Sequence, residues 1–105
     1  MPRAPRIEFA GAIYHAMNRG NHLESIFWDV KDREIFLQTL EETCLSSGWS
    51  VHSFVLMDNH YHLLIETHRA TLVKGTQYLN STYTQRFNSR HKTRGHLFQG
   101  RYKAL

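Results

Sequence analysis

The chain has one cysteine and two prolines, and no apolar run near the ~20 residues that a membrane span needs. Each shortage excludes something. A lone Cys44 rules out an intrachain disulfide framework and a multi-cysteine zinc site, and it suits a reducing cytoplasm. The N-terminal MPRAPRIEFAG lacks the continuous apolar stretch of a secretory signal. No internal repeat, low-complexity tract or linker divides the 105 residues, so 1–105 reads as a single domain. Acidic side chains are missing from residue 67 onward. Residues 67–105 hold eight Arg/Lys and no acid, whereas 1–66 hold five Arg/Lys and all nine acids. A one-sign block suggests a polyanion partner, nucleic acid first, although a solvated basic face has the same composition.

What is present reads as alternating strands and helices. In AIYHAMNRG (12–20), Ile13, His15 and Met17 share one face of a strand and Tyr14 and Ala16 the other. DVKDREIFLQTLEETCLSSG predicts a helix capped by Asp29 and ended by Gly48, with Phe36, Leu37, Leu40 and Cys44 as its apolar stripe. WSVHSFVLM and HYHLLIET predict two strands joined through Asp58 and Asn59, a pair that tolerates the positive φ of a tight hairpin turn. That register sets Met57 against His60, Val55 against His62 and Ser53 against Leu64. It gathers Phe54, Leu56, Tyr61, Leu63 and Ile65 on a fully apolar core face. A second helix is expected from Thr71 to Asn88 on Leu72, Leu79, Tyr83 and Phe87, with Gly75 weakening it. SRHKTRG reads as a basic turn and HLFQGRYKAL as the start of another strand. The order β-α-β-β-α-β predicts an α+β, ferredoxin-like or RRM-like sandwich: an antiparallel sheet with two helices on one face.

The pair His60 and His62 is the chemical feature. Residues two apart on a strand point the same way, so both imidazoles project onto the open face while Tyr61 enters the core. Two neutral imidazoles can share a divalent ion and need further ligands from elsewhere. A half-exposed pair with no ligand is the plainer alternative, since a chain with eight histidines produces His-x-His by chance. His15 could approach the pair if the first strand lies beside it, and a surface or supporting role suits it better than ligation. Glu66 is roughly 13 Å along the strand from His62, too far to share the ion.

NHYHLLIET resembles the histidine–hydrophobe–histidine (HUH) signature of single-strand DNA nucleases. YHAMNRGN, FVLMDNHYHLLIET, STYTQRFN and GHLFQGRYKA together resemble the single-tyrosine transposases of bacterial insertion sequences, closest to the REP-associated tyrosine transposases. The resemblance spans nearly the whole chain and implies the same sandwich fold. It implies cleavage of single-stranded or hairpin DNA by a tyrosine nucleophile through a 5′-phosphotyrosine link, with His60 and His62 holding the metal that polarises the scissile phosphate. Mg²⁺ or Mn²⁺ is the cofactor so implied, while ligand softness alone favours Mn²⁺ or Zn²⁺. A homodimer is also implied. In such enzymes the nucleophile lies on a helix after the GRYKA strand, in a Tyr-Ile segment followed by Asn-Pro. Neither feature is in these residues, so the domain is expected to be incomplete.

No other tyrosine matches that position. Tyr83 falls on the apolar stripe, Tyr78 has no neighbouring base, Tyr61 must face inward, and Tyr102 suits base stacking or a strand. Arg86 and Arg90, one helical turn apart, are expected to bind DNA with Lys92, Arg94, Arg101, Tyr102 and Lys103, while Phe98 suits the core. A non-catalytic, RRM-like single-stranded nucleic-acid-binding module is the alternative. The open face carries histidines where such a module would show aromatics. A histidine phosphohydrolase is disfavoured because no further histidine motif accompanies the pair. Apolar Val55 and Leu64 beside His62 are expected to support dimerisation through the open face or a sheet edge.

Overall fold

The computed structural model describes residues 9–100 and 102–105. The elements are β1 (Ala12–Arg19), a short 3₁₀ turn (Asn21–Leu23), α1 (Val30–Ser47), β2 (Trp49–Leu56), β3 (His60–Thr67), α2 (Leu72–His91) and β4 (Lys103–Ala104). The strands form one sheet in the order β2-β3-β1-β4, with every neighbouring pair antiparallel. No helix among the described residues is long and apolar enough to cross a membrane.

Alternation builds the core. Along β1, Ala12, Tyr14, Ala16 and Asn18 are buried; along β3, Tyr61, Leu63, Ile65 and Thr67 are. Both helices cover this face with Phe36 and Leu40 from α1 and Leu72, Leu79, Tyr83 and Phe87 from α2. The Phe36 ring meets Tyr61 at 5.0 Å and Tyr83 at 5.2 Å between centroids. Two buried phenols satisfy their hydroxyls: Tyr61 donates to Asn80 Oδ1 and Tyr83 to the Ile26 carbonyl, both at 2.6 Å, whereas the buried Tyr14 hydroxyl has no partner among the described residues. Local signals set the limits of α1. The Asp29 carboxylate accepts from the Asp32 N–H at 3.0 Å, and Gly48 closes the helix at φ 71°. Thr39 and Thr43, buried within α1, return their hydroxyls to the carbonyls one turn back.

The hairpin register is the expected one, with Val55 opposite His62, Leu56 opposite Tyr61 and Ser53 opposite Leu64. Four expectations need correction. Neither Asp58 nor Asn59 takes positive φ. The turn is held by docking instead, since the Asp58 carbonyl accepts from the Ile26 and Phe27 N–H groups and the Asn59 carbonyl from Gly20 N–H. The β2 face is not fully buried: Phe54 is 49% exposed on an edge strand. A bulge between Val51 and Ser53 shifts the alternation, so Trp49 and Val51 turn inward ahead of it. SRHKTRG is helical as far as His91, and Lys92 ends α2 in the left-handed region at φ 56°. The last strand is only two residues long, although Phe98 forms a bridge with Gly20 and is buried as expected.

Gly75 has a packing reason. A Cβ built there would lie 2.2 Å from Trp49 Cζ2, so α2 approaches the buried indole through the missing side chain. The indole N–H donates to Thr71 Oγ1 at 3.2 Å, and that hydroxyl donates to the Ser47 carbonyl at 2.6 Å.

Candidate functional site

Register across the sheet assembles the site. His62 lies opposite Val55 on β2 and Met17 on β1, and Met17 lies opposite Lys103 on β4. Directly opposed residues share a face, so these four form one row across the open side of the sheet. His60 and Arg19, opposite each other, form the next row. The His60 and His62 rings are 5.0 Å apart between centroids. Around them is a cleft of about 590 Å³, whose lining includes Arg19, Asn59, Gln99, Gly100 and Lys103.

Each imidazole has its Nδ1 engaged. His60 Nδ1 is 2.8 Å from Asn59 Oδ1, and His62 Nδ1 is 2.9 Å from His15 Nε2. His15 faces Leu64 in the register, one step diagonal to His62, so the first strand does bring it to the pair. A metal on His62 Nε2 requires Nδ1 to carry the proton and His15 Nε2 to accept it, a supporting role. Burial pushes the His62 pKa below the usual histidine value, with His60 and His15 adding to the shift. Neutral imidazole is the form that binds metal. Among the described residues no group of three His, Cys, Asp or Glu could hold a metal ion. The donor set therefore fits a partial site of two neutral nitrogens, with water or substrate oxygens filling the other positions.

Glu66 is oriented away from the pair, its carboxylate 3.0 Å from His52 Nε2 and 3.8 Å from His68 Nδ1. The tyrosines are all accounted for. Tyr14, Tyr61 and Tyr83 are buried, Tyr78 donates to Glu42, and Tyr102 is partly buried against the core cluster. None is placed on the histidine face.

The basic residues separate into two groups. Arg86 and Arg90 share a ridge of α2, but α2 covers the opposite face of the sheet and both are committed within the fold. Arg86 pairs with Glu42 at 2.9 Å and bonds Thr39. Arg90 clamps Asp29 and the fully buried Asp32, each at 2.8 Å, and His91 reaches Asp32 as well. The Arg90 guanidinium, helped by the Asp32 N–H, draws the Asp29 pKa down to about 2. Arg86 lowers that of Glu42. Charge segregated along the chain is thus partly neutralised in space. Lys92 and Arg94 are exposed beyond α2, on the segment leading to Leu97 and Gln99, which bond the chain at Asn21 and Arg19. Lys103 lines the cleft, and Arg101 lies outside the described residues. Sequence reasoning passed over Arg19, although alternation from His15 and Met17 already puts it on their face. It also read Asn59 only as a turn residue.

No curated protein matches the chain. Among solved structures, a candidate transposase from Deinococcus radiodurans R1 superposes with a TM-score of 0.73 at 16% identity, over 99% of this chain and 85% of its own. A REP-associated tyrosine transposase bound to a REP hairpin gives 0.77 at 9% identity, over 100% of this chain. The chain spans 61% of the length of that second protein. At such identities the likeness is one of fold. The model of the IS200-like transposase family, by contrast, matches residues 9–105 in sequence. The chain belongs to the IS200-like family of DNA transposases.

Proposed function

We propose that this domain binds single-stranded or hairpin DNA across its open sheet face and takes part in cleaving and rejoining it through a phosphotyrosine link. The nucleophile would be a tyrosine other than the five described. One observation carries the reading: His60 and His62 share a cleft with Arg19 and Lys103 in a chain of this family. Arg19 and Lys103 attract and orient the phosphates, Met17 and Leu23 give bases an apolar surface, and Gln99 offers an amide to a base edge. His60 and His62 would hold a divalent ion, Mg²⁺ or Mn²⁺, which supplies Lewis-acid charge stabilisation at the scissile phosphate. The hairpin on the REP-associated neighbour supports a structured DNA partner. Exposed Val55, Leu64 and Met57 on the same face support a homodimer.

The test is oligonucleotide binding against salt. Each phosphate contact on a single strand contributes about 0.7 to the log–log slope, so replacing Arg19 and Lys103 together should flatten it by about 1.4. The same double change at Arg86 and Arg90 should leave the slope alone. An unchanged slope in the Arg19/Lys103 variant would refute the placement of the DNA. Mn²⁺ should broaden the NMR signals of His60 and His62 before those of the other histidines; uniform broadening would favour the non-catalytic binding module.

A further inference from the structure

The side chain of Asn59 makes two contacts at once. Its Oδ1 lies 2.8 Å from His60 Nδ1, and its Nδ2 donates to the Leu23 carbonyl at 3.3 Å. A carbonyl can only accept, so the Leu23 oxygen decides which end of the carboxamide is nitrogen. The oxygen end then faces His60, and it too can only accept. It follows that Nδ1 carries the proton of the neutral His60 ring and that the lone pair is on Nε2.

The backbone supports this arrangement. His22 and Leu23 both lie in the left-handed region, at φ 56° and 59°, which non-glycine residues seldom adopt. Such conformations persist where the surroundings over-determine them, and they cluster at functional sites. Here the unusual turn brings the Leu23 carbonyl to the amide, and the Gly20 N–H to Asn59 O bond at 2.8 Å ties the same two segments together.

We propose that Asn59 is a positioning residue that holds His60 in its Nδ1-protonated tautomer, leaving Nε2 as the ring's metal-binding atom. The proposal rests on the metal-centre reading above, and it explains why one imidazole of the pair is already set for ligation before any ion arrives. Outer partners that fix a ligand's tautomer matter to affinity: their loss typically costs 10–100-fold.

Long-range proton–nitrogen NMR on the metal-free chain, at a pH where the ring is neutral, reads the tautomer directly. Wild type should show His60 protonated at Nδ1. Asn59→Ala should populate both tautomers and bind Mn²⁺ about 10–100-fold more weakly. Asn59→Asp keeps an acceptor oxygen at the ring and loses only the donor to Leu23, so it should keep the Nδ1-protonated form. Thermal melts of both variants separate tautomer loss from unfolding. The positioning role is overturned if wild-type His60 is protonated at Nε2, or if Asn59→Ala changes neither tautomer nor Mn²⁺ affinity. A wild-type ring protonated at Nδ1 with no preferential Mn²⁺ broadening would overturn the metal reading instead, and with it the purpose assigned to Asn59.

Discussion

Gly75→Ala sets two effects against each other, and the structure says which prevails. In a helix interior alanine is favoured over glycine by about 0.8–1.0 kcal/mol, so α2 by itself should gain. The added Cβ would meet Trp49 at Cζ2 (2.2 Å), Cε2 (2.7 Å) and Cη2 (3.0 Å). Ordinary contact begins near 3.4 Å, so the ring or the helix must move by about an ångström. Neither is free to do so. The indole is 5% exposed and tethered through Thr71 to Ser47, and a Cβ is rigidly attached to its backbone. Overpacking of this kind costs roughly 1–3 kcal/mol, and this geometry belongs at the upper end. The net expectation is a loss of about 2 kcal/mol, or roughly 8–16 °C in Tm for a domain of this size. Thermal and urea denaturation measure it directly. In a Trp49→Leu background the same change should become neutral or stabilising, because the obstacle is gone. A Gly75→Ala chain that melts at or above wild type would refute the packing argument.

Arg90→Ala should lower the midpoint of urea unfolding, because among the described residues it leaves the buried Asp32 carboxylate with only His91 and the Trp28 N–H. Unchanged stability with weakened DNA binding would instead return Arg90 to the DNA-binding set. Asp29 has its pKa lowered from 3.8 to about 2, so its contribution to stability is complete above the unfolded value and is lost as pH falls through the folded one. Acid unfolding of Asp29→Asn should therefore lack the part of the wild-type response that falls between those two values; identical acid profiles would count against the Asp29–Arg90 pairing. Leu64→Lys should loosen self-association in analytical ultracentrifugation while shifting stability by no more than about 0.5 kcal/mol, since Leu64 lies on the open face. Global unfolding of that variant would mean the sheet faces are reversed.

What could be read in the sequence was local. Asp29 and Gly48 bound α1 because caps act within a turn of their own residue, and the β2–β3 register follows from a connection too short to allow another. His60 and His62 share the open face for the same reason. The bulge after Val51 could not be read, because nothing near His52 in the chain announces it. The fates of Arg86 and Arg90 are likewise non-local: their acids lie at least 44 residues away along the chain. A run of cations therefore looked like a DNA surface when part of it is the mortar between two helices. Asn59 was legible as a turn former, while the contact that orients its side chain toward the neighbouring His60 comes from Leu23, 36 positions away.

The docked hairpin turn has a consequence for how the protein opens. Gly20, Ile26 and Phe27 give their amide hydrogens to carbonyls at positions 58 and 59, and Arg33 on α1 reaches the Asp58 carboxylate at 2.9 Å. Those amides can exchange with solvent only when the tip of the β2–β3 hairpin leaves the segment joining β1 to α1. The two stretches therefore belong to one cooperative unit, and their hydrogen-exchange protection should rise and fall together. Because the three amide contacts join positions more than 30 apart in the chain, closing them carries a loop-entropy cost and belongs late in folding. The histidine pair follows directly on that tip, so its two rings reach their places on the open face only once this unit has closed.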